Sequence, residues 1–320
     1  MNLGFKCPWY ALARMKIAIV GSGGVGGYFG GRLAAAGADV TFLARGAHLD
    51  ALRTRGLRIT SPKGDLHLPS VKTAGDTSDI GPVDIVFFAV KLYDTETALA
   101  ALPPLIGPNT AVVPLQNGVD SVATLIDAVG RQHTAGGTCY VSAVIAEPGV
   151  IKHTAMDHLI FGELDRIRSP RLLALYEACR PAGFRSTLSD DITLDIWNKF
   201  VRLSVLSGMT AVTRSPLGII RDDAELWTML SQAVREAMAV AHAKGIDVPE
   251  STVDDVARAY AALPPQTKSS MLEDLERGRR LELPWLSGAV VRIGREVGVP
   301  TPTHAFINAV LRPHVNGSLA

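Results

Sequence analysis

The sequence predicts an α/β domain built on a parallel sheet, followed by an all-helical domain. Three observations carry that prediction. A short β-like run, residues 16–20, leads directly into Gly21-Ser22-Gly23-Gly24-Val25-Gly26 and then a helix-like stretch. From there to about residue 189, short apolar runs alternate with helical segments. Beyond residue 190 helix-compatible stretches dominate, with Pro and Gly falling between them. A length of 320 residues suits two domains of ordinary size.

Taken in order, residues 1–14 precede Met15 and the first strand, carry no apolar h-region of a signal peptide, and read as an N-terminal extension. The helix after the glycine run extends to residue 36 and is stopped by Gly37, a common residue just past a helix end. Residues 39–44 read as a second strand, 83–90 as a third and 110–115 as another. Val83, Ile85, Val86, Phe87, Phe88, Ala89 and Val90 form an almost unbroken apolar run, the pattern of a strand buried on both faces of a helix-covered parallel sheet. Residues 57–71 have a polar centre at Ser61-Pro62-Lys63-Gly64 and read as an inserted hairpin. Between residues 138 and 163 further β-rich runs are broken at Pro148-Gly149. The boundary is placed near residue 189, giving domains 15–189 and 190–320. The helical stretches of the second are 192–209, 223–244, 251–262, 269–279 and 286–297.

Composition removes several function classes. The 32 basic and 31 acidic side chains leave a formal net charge of +1, which offers no electrostatic footprint for nucleic acid or a membrane surface. No apolar run reaches the roughly 18–20 residues of a membrane span. Cys7, Cys139 and Cys179 form neither a disulfide framework nor a metal-ligand spacing, and the histidines are scattered, so no metal site is predicted. A reducing cytoplasm is the expected location.

The glycine run is backbone chemistry. Gly21 permits a tight turn, Gly23 lets the chain approach a pyrophosphate, and Gly26 lets the helix pack on the strand. The helix start offers free N–H groups and partial positive charge to phosphates, with Ser22, Gly24 and Val25 completing the loop. The end of the second strand is Leu43-Ala44-Arg45, with no acidic residue to hold a ribose 2′-hydroxyl. A guanidinium there suits a 2′-phosphate, so NADP is predicted on a Rossmann-like dinucleotide-binding domain. Lys91 and Gln116-Asn117-Gly118 follow predicted strands, at the sheet end where such domains bind ligands. Lys91 and Asn117 are therefore candidate cofactor contacts, and Asn117 offers both a donor and an acceptor.

These features, with Trp197-Asn198-Lys199-Phe200, Lys268-Ser269-Ser270-Met271 and Glu282, occur in an order that resembles the ketopantoate reductase (2-dehydropantoate 2-reductase) family. The resemblance implies NADPH, a Rossmann-like N-terminal domain and an all-helical C-terminal domain. It also implies reduction of a 2-oxo acid to a 2-hydroxy acid, here ketopantoate to pantoate in pantothenate biosynthesis. Lys199 matches the family's catalytic lysine, a general acid that polarises the substrate carbonyl and donates its proton. Glu282 matches the catalytic acid, able to hold Lys199 or a substrate hydroxyl. Ser270 matches the substrate-side serine, and Asn117 and Ser207 are expected to face the substrate. The chain departs from the family at Leu203 and Ser207, where asparagines are usual one and two turns beyond the lysine. It also departs at Leu283-Pro284-Trp285-Leu286-Ser287-Gly288, where a polar run ending in Asn-Gly is usual. These exchanges predict a more apolar pocket and motivate one alternative, a related enzyme for a less polar oxo or hydroxy acid. A non-catalytic NADP-binding sensor is a second class of reading, against which the joint retention of Lys199, Ser270 and Glu282 speaks. The apolar C-terminal helices also admit a homodimer.

Overall fold

The structure is a computed structural model that describes residues 15–318. The expected extension at residues 1–14 lies outside the described residues. Chain contacts divide the molecule into two compact units. The first comprises residues 15–90, Thr95–Leu115 and Leu125–Asp190; the second comprises Lys91–Asp94, Gln116–Thr124 and residues 191–318. The sequence reading placed a single cut near residue 189, whereas two short segments from the first half group with the helical unit. Local patterning could not show this, because it rests on bonds to residues more than 80 positions away.

In chain order the elements are β1 (Lys16–Val20), α1 (Gly24–Ala35), β2 (Asp39–Leu43), α2 (Gly46–Arg55), β3 (Leu57–Thr60), β4 (Leu66–Leu68), β5 (Lys72–Ala74) and β6 (Val83–Phe88). They continue with α3 (Thr95–Leu99), β7 (Ile106–Pro114), α4 (Ser121–Val129), β8 (Gly136–Glu147), β9 (Val150–Gly162), α5 (Pro170–Cys179) and β10 (Arg185–Leu188). Strands β5-β2-β1-β6-β7 form one sheet, in which every pairing is parallel. Ile17 and Ile19 of β1 enter one core while Ala18 and Val20 enter the other. A strand buried on both faces in this way has no polar position to offer, which is why β1 and β6 read as continuous apolar runs. From β1 the chain pairs β2 on one side and later β6 on the other. The sheet order reverses there, and ligands of open α/β sheets bind at the strand ends of such a point.

The hairpin expected at residues 57–71 forms as antiparallel β3 and β4. Its place in the fold was not foreseen. β3 pairs in parallel with β9, which also pairs β10 and β8, making a second, mixed sheet. Helix α1 contacts both sheets: a Cβ at Gly30 would press on Ile19 and Phe42, and one at Gly31 on Ile59 and Leu57.

The second unit is helical: α6 (Ile192–Thr213), α7 (Leu217–Asp222), α8 (Ala224–Ala243), α9 (Thr252–Ala261), α10 (Ser270–Glu276), α11 (Ser287–Val297) and α12 (Pro302–Leu311). Helix α6 starts where the Asp191 side chain accepts from Leu194 N–H, and ends at Arg214 in the left-handed region. Its core includes Phe200, Val201, Val205 and Met209 with Ala237, Leu283 and Ile307. None of the described helices is long and apolar enough to cross a membrane.

Candidate active site

The glycine run occupies the turn from β1 into α1. Gly21 has φ +99°, and a Cβ on it would stand 2.6 Å from the Val90 backbone nitrogen, so no other residue fits this turn without displacement. Gly23 is the N-cap of α1, and nothing lies within 4 Å of where its Cβ would be. At Gly24 a Cβ would overlap the Ala143 carbonyl, and at Gly26 it would overlap the Gly21 carbonyl. Ser22 is buried and donates its hydroxyl to the Leu43 carbonyl at 2.8 Å, tying the loop to the end of β2. Helix α1 has no acidic residue in its first turn and no side-chain cap, so its N–H groups and partial positive charge are unopposed. Val25, half-buried, follows in the first turn. Arg45 lies two residues past the end of β2, is exposed, and is the N-cap of α2. Backbone openness at Gly23, a bare helix start and an arginine in place of an acid make a cradle that fits the phosphates of NADP.

The second unit holds a separate polar cluster. Lys199, two turns into α6, is buried, with 8% of its surface exposed. Its Nζ donates to Asn117 Oδ1 at 3.0 Å. Asn117 Nδ2 in turn donates to Glu282 Oε2 at 3.0 Å. The amide orientation follows from its neighbours, since an ammonium only donates and a carboxylate only accepts. Glu282 Oε1 also accepts from Leu92 N–H at 3.3 Å, and the residue is 7% exposed. Gly118, at φ +80°, makes the approach of Asn117 feasible: a Cβ there would stand 2.8 Å from the Trp285 carbonyl. Gln116, before Asn117, is pinned by the Ser121 hydroxyl at 2.8 Å.

Lys91 stands beside the cluster and pairs with Asp274 Oδ2 at 3.4 Å. Burial works to discharge its ammonium, but Glu282 and Asp274 outweigh it and hold the pKa above the ordinary lysine value. Lys91 therefore stands among carboxylates of its own unit. Ser207 is fully buried and its hydroxyl has no hydrogen-bond partner among the described residues. Leu203, between Lys199 and Ser207 on the same face of α6, is half-buried and packs on the helical core. Ser270 is exposed at the first position of α10, while its neighbour Ser269 is buried and caps the helix through Leu272 N–H. Asp274 was not singled out from the sequence. The available signal was its position one turn beyond Ser270 on the same helix. Among the described residues no group of His, Cys, Asp or Glu is arranged to hold a metal ion.

With this geometry established, the comparisons with known proteins are specific. A family profile described as ketopantoate reductase PanE/ApbA matches residues 17–166. Its companion, described as ketopantoate reductase PanE/ApbA C terminal, matches residues 191–315. The chain is 33% identical to the 2-dehydropantoate 2-reductase of Mesorhizobium japonicum, an alignment covering 93% of this chain and 97% of that protein. A solved PanE/ApbA family ketopantoate reductase from Ralstonia eutropha superimposes with a TM-score of 0.86 at 30% identity, over 94% of this chain and 98% of the other. A solved 2-dehydropantoate 2-reductase from Geobacter metallireducens gives 0.88 at 29% identity, over 93% and 99%.

Proposed function

The chain belongs to the ketopantoate reductase PanE/ApbA family, and from that premise we propose that it reduces 2-dehydropantoate (ketopantoate) to pantoate with NADPH. The observation that carries the reading is the continuous chain of bonds from Lys199 through Asn117 to Glu282. The glycine loop and Arg45 would hold NADPH, which when bound would supply the hydride for the carbonyl carbon. Lys199 points an ammonium at the carbonyl oxygen, stabilises the negative charge that develops there, and gives it a proton to complete the hydroxyl. Asn117 holds that ammonium in place by accepting one of its N–H groups. Glu282 orients Asn117 by accepting its amide N–H. The buried Ser207 hydroxyl and the exposed Ser270 hydroxyl are assigned to the substrate's polar groups.

In this reading the partner is a small 2-oxo acid, and the expected location is the cytoplasm. A homodimer through the helical unit is proposed on the exposed pair Phe306 and Val310, one turn apart on α12, and sedimentation in solution tests it.

The test of function follows NADPH absorbance with ketopantoate and a panel of other 2-oxo acids, using wild type and Lys199→Ala. Turnover of ketopantoate above the other acids is expected, with a loss of about 10²–10⁴-fold in the variant. Turnover confined to less polar acids would move the assignment to Leu203 and Ser207 as specificity residues. Tight NADPH binding without reduction of any acid would favour the sensor.

A further inference from the structure

The helical unit contains a cavity of about 220 Å³ whose lining includes Arg214, Glu276, Arg279 and His314. None of these residues belongs to the Lys199–Asn117–Glu282 chain. The cavity walls carry two guanidinium groups and an imidazole against a single carboxylate, Glu276. That carboxylate is already engaged by Lys268 Nζ at 2.6 Å. Its lining is thus electropositive, and a water takes only about 30 Å³, so there is room for an oxyanion with bridging waters.

Two further observations set this cavity apart from a chance surface hollow. Arg214 is a non-glycine residue at φ +51°, the left-handed C-cap of α6, where glycine would make the turn at less cost. An outlier of this kind places a long cationic side chain at the cavity despite the backbone strain. Arg279 leads out of the cavity: its Nη1 stands 3.8 Å from Asp274 Oδ1, and the other oxygen of Asp274 stands 3.4 Å from Lys91 Nζ. Leu92, the next residue after Lys91, donates its N–H to Glu282 Oε1 at 3.3 Å. One carboxylate therefore answers to two cations, one lining the cavity and one beside the site.

The geometry points to a binding site for a small multivalent oxyanion of the phosphate class at Arg214, Arg279 and His314, whose occupancy is sensed at the active site through Asp274 and Lys91. An anion that draws Arg279 toward itself leaves Asp274 to pair more fully with Lys91, and this weakens the hold of Lys91 on the Glu282 side. The relay rests on the proposed reduction; the binding site does not.

The test uses inorganic phosphate titrated into the full chain by calorimetry at constant ionic strength, with chloride as the comparison salt. With the glycine loop occupied by saturating NADP, one saturable site per chain is expected for phosphate and none for chloride. Arg214→Gln and Arg279→Gln should each weaken binding at least about tenfold, because each removes one charged partner. Arg214→Lys keeps both the charge and the non-glycine backbone and should retain most of the affinity, which separates loss of charge from loss of fold. Phosphate should raise KM for the 2-oxo acid on the order of fivefold with little change in kcat, and this effect should vanish in Arg279→Gln. Undiminished phosphate binding in Arg214→Gln would overturn the site. Binding that leaves KM unchanged would overturn the relay. Because calorimetry needs no turnover, the site is decided even where the proposed reduction fails.

Discussion

Asn117 is the side chain on which the order of the buried polar cluster depends. It satisfies a buried ammonium on one side and a buried carboxylate on the other. A hydrogen bond to a charged group contributes about 1.5–3 kcal/mol, and losing such a partner leaves the charge underbonded away from water. Asn117→Ala is expected to lower kcat by about 10–100-fold, the kinetic equivalent of that energy, with a smaller change in KM. Steady-state kinetics on the purified variant checks it; a change confined to KM would reduce Asn117 to a binding role. The identities of Lys199, Asn117 and Glu282 were legible as motif residues. Their mutual bonding was not, since 82 and 165 positions separate the partners. Position at a strand end tells where a ligand binds, while which side chains converge there is decided by tertiary packing. Asp274 escaped for a related reason: a lone acid on an amphipathic helix looks like any solvated face until Lys91 is seen beside it.

At the scale of elements, α1 gives a paired prediction. Gly24→Ala forces a methyl group into the Ala143 carbonyl of β8, and overpacking of that kind typically costs about 1–3 kcal/mol. Its thermal midpoint should fall. Gly23→Ala meets nothing in the free protein, so its midpoint should hold while its affinity for NADPH drops, as binding measured by fluorescence would report. Equal destabilisation by both would refute the assignment of Gly23 to the phosphate approach. The strand, glycine loop and helix were all legible because each signal is local. The second sheet was not, because β3 pairs β9 with Arg58 opposite Val150, and strand pairing is chosen by tertiary context. Helix α12 was also missed. Its first N–H groups are capped not by a neighbour in sequence but by Glu236 of α8, which accepts from Thr303 and His304 at 3.0 and 3.1 Å. The sequence does carry one local start signal, Pro302 in the first turn after Thr301, from which this helix was legible.

At the scale of the whole molecule, the same corner sets a pH dependence. His304 is fully buried, its Nε2 is 3.0 Å from the Ala233 carbonyl, and burial pushes its pKa down to about 4 despite that bond and the nearby Glu236 charge. The unfolded chain takes up the proton first as pH falls from the ordinary value of 6.5. The stability tied to neutral His304 is therefore intact above about pH 6.5 and lost progressively between there and about pH 4. Thermal midpoints should decline across that window, and more shallowly in His304→Gln; parallel slopes would show that other groups govern the decline. The helical texture after residue 190 was legible from composition and periodicity, but the grouping of Lys91–Asp94 and Gln116–Thr124 with that unit was not. That grouping has a kinetic consequence. A stretch of chain beginning at residue 191 contains Lys199 and Glu282 yet lacks Asn117 and Leu92, so the nascent helices lack the groups that order this proposed catalytic pair. Loop closures of 82 to 190 residues must come first, and such distant contacts form slowly. Competence for catalysis is then a late event in refolding, and the return of activity should lag behind the return of helical signal.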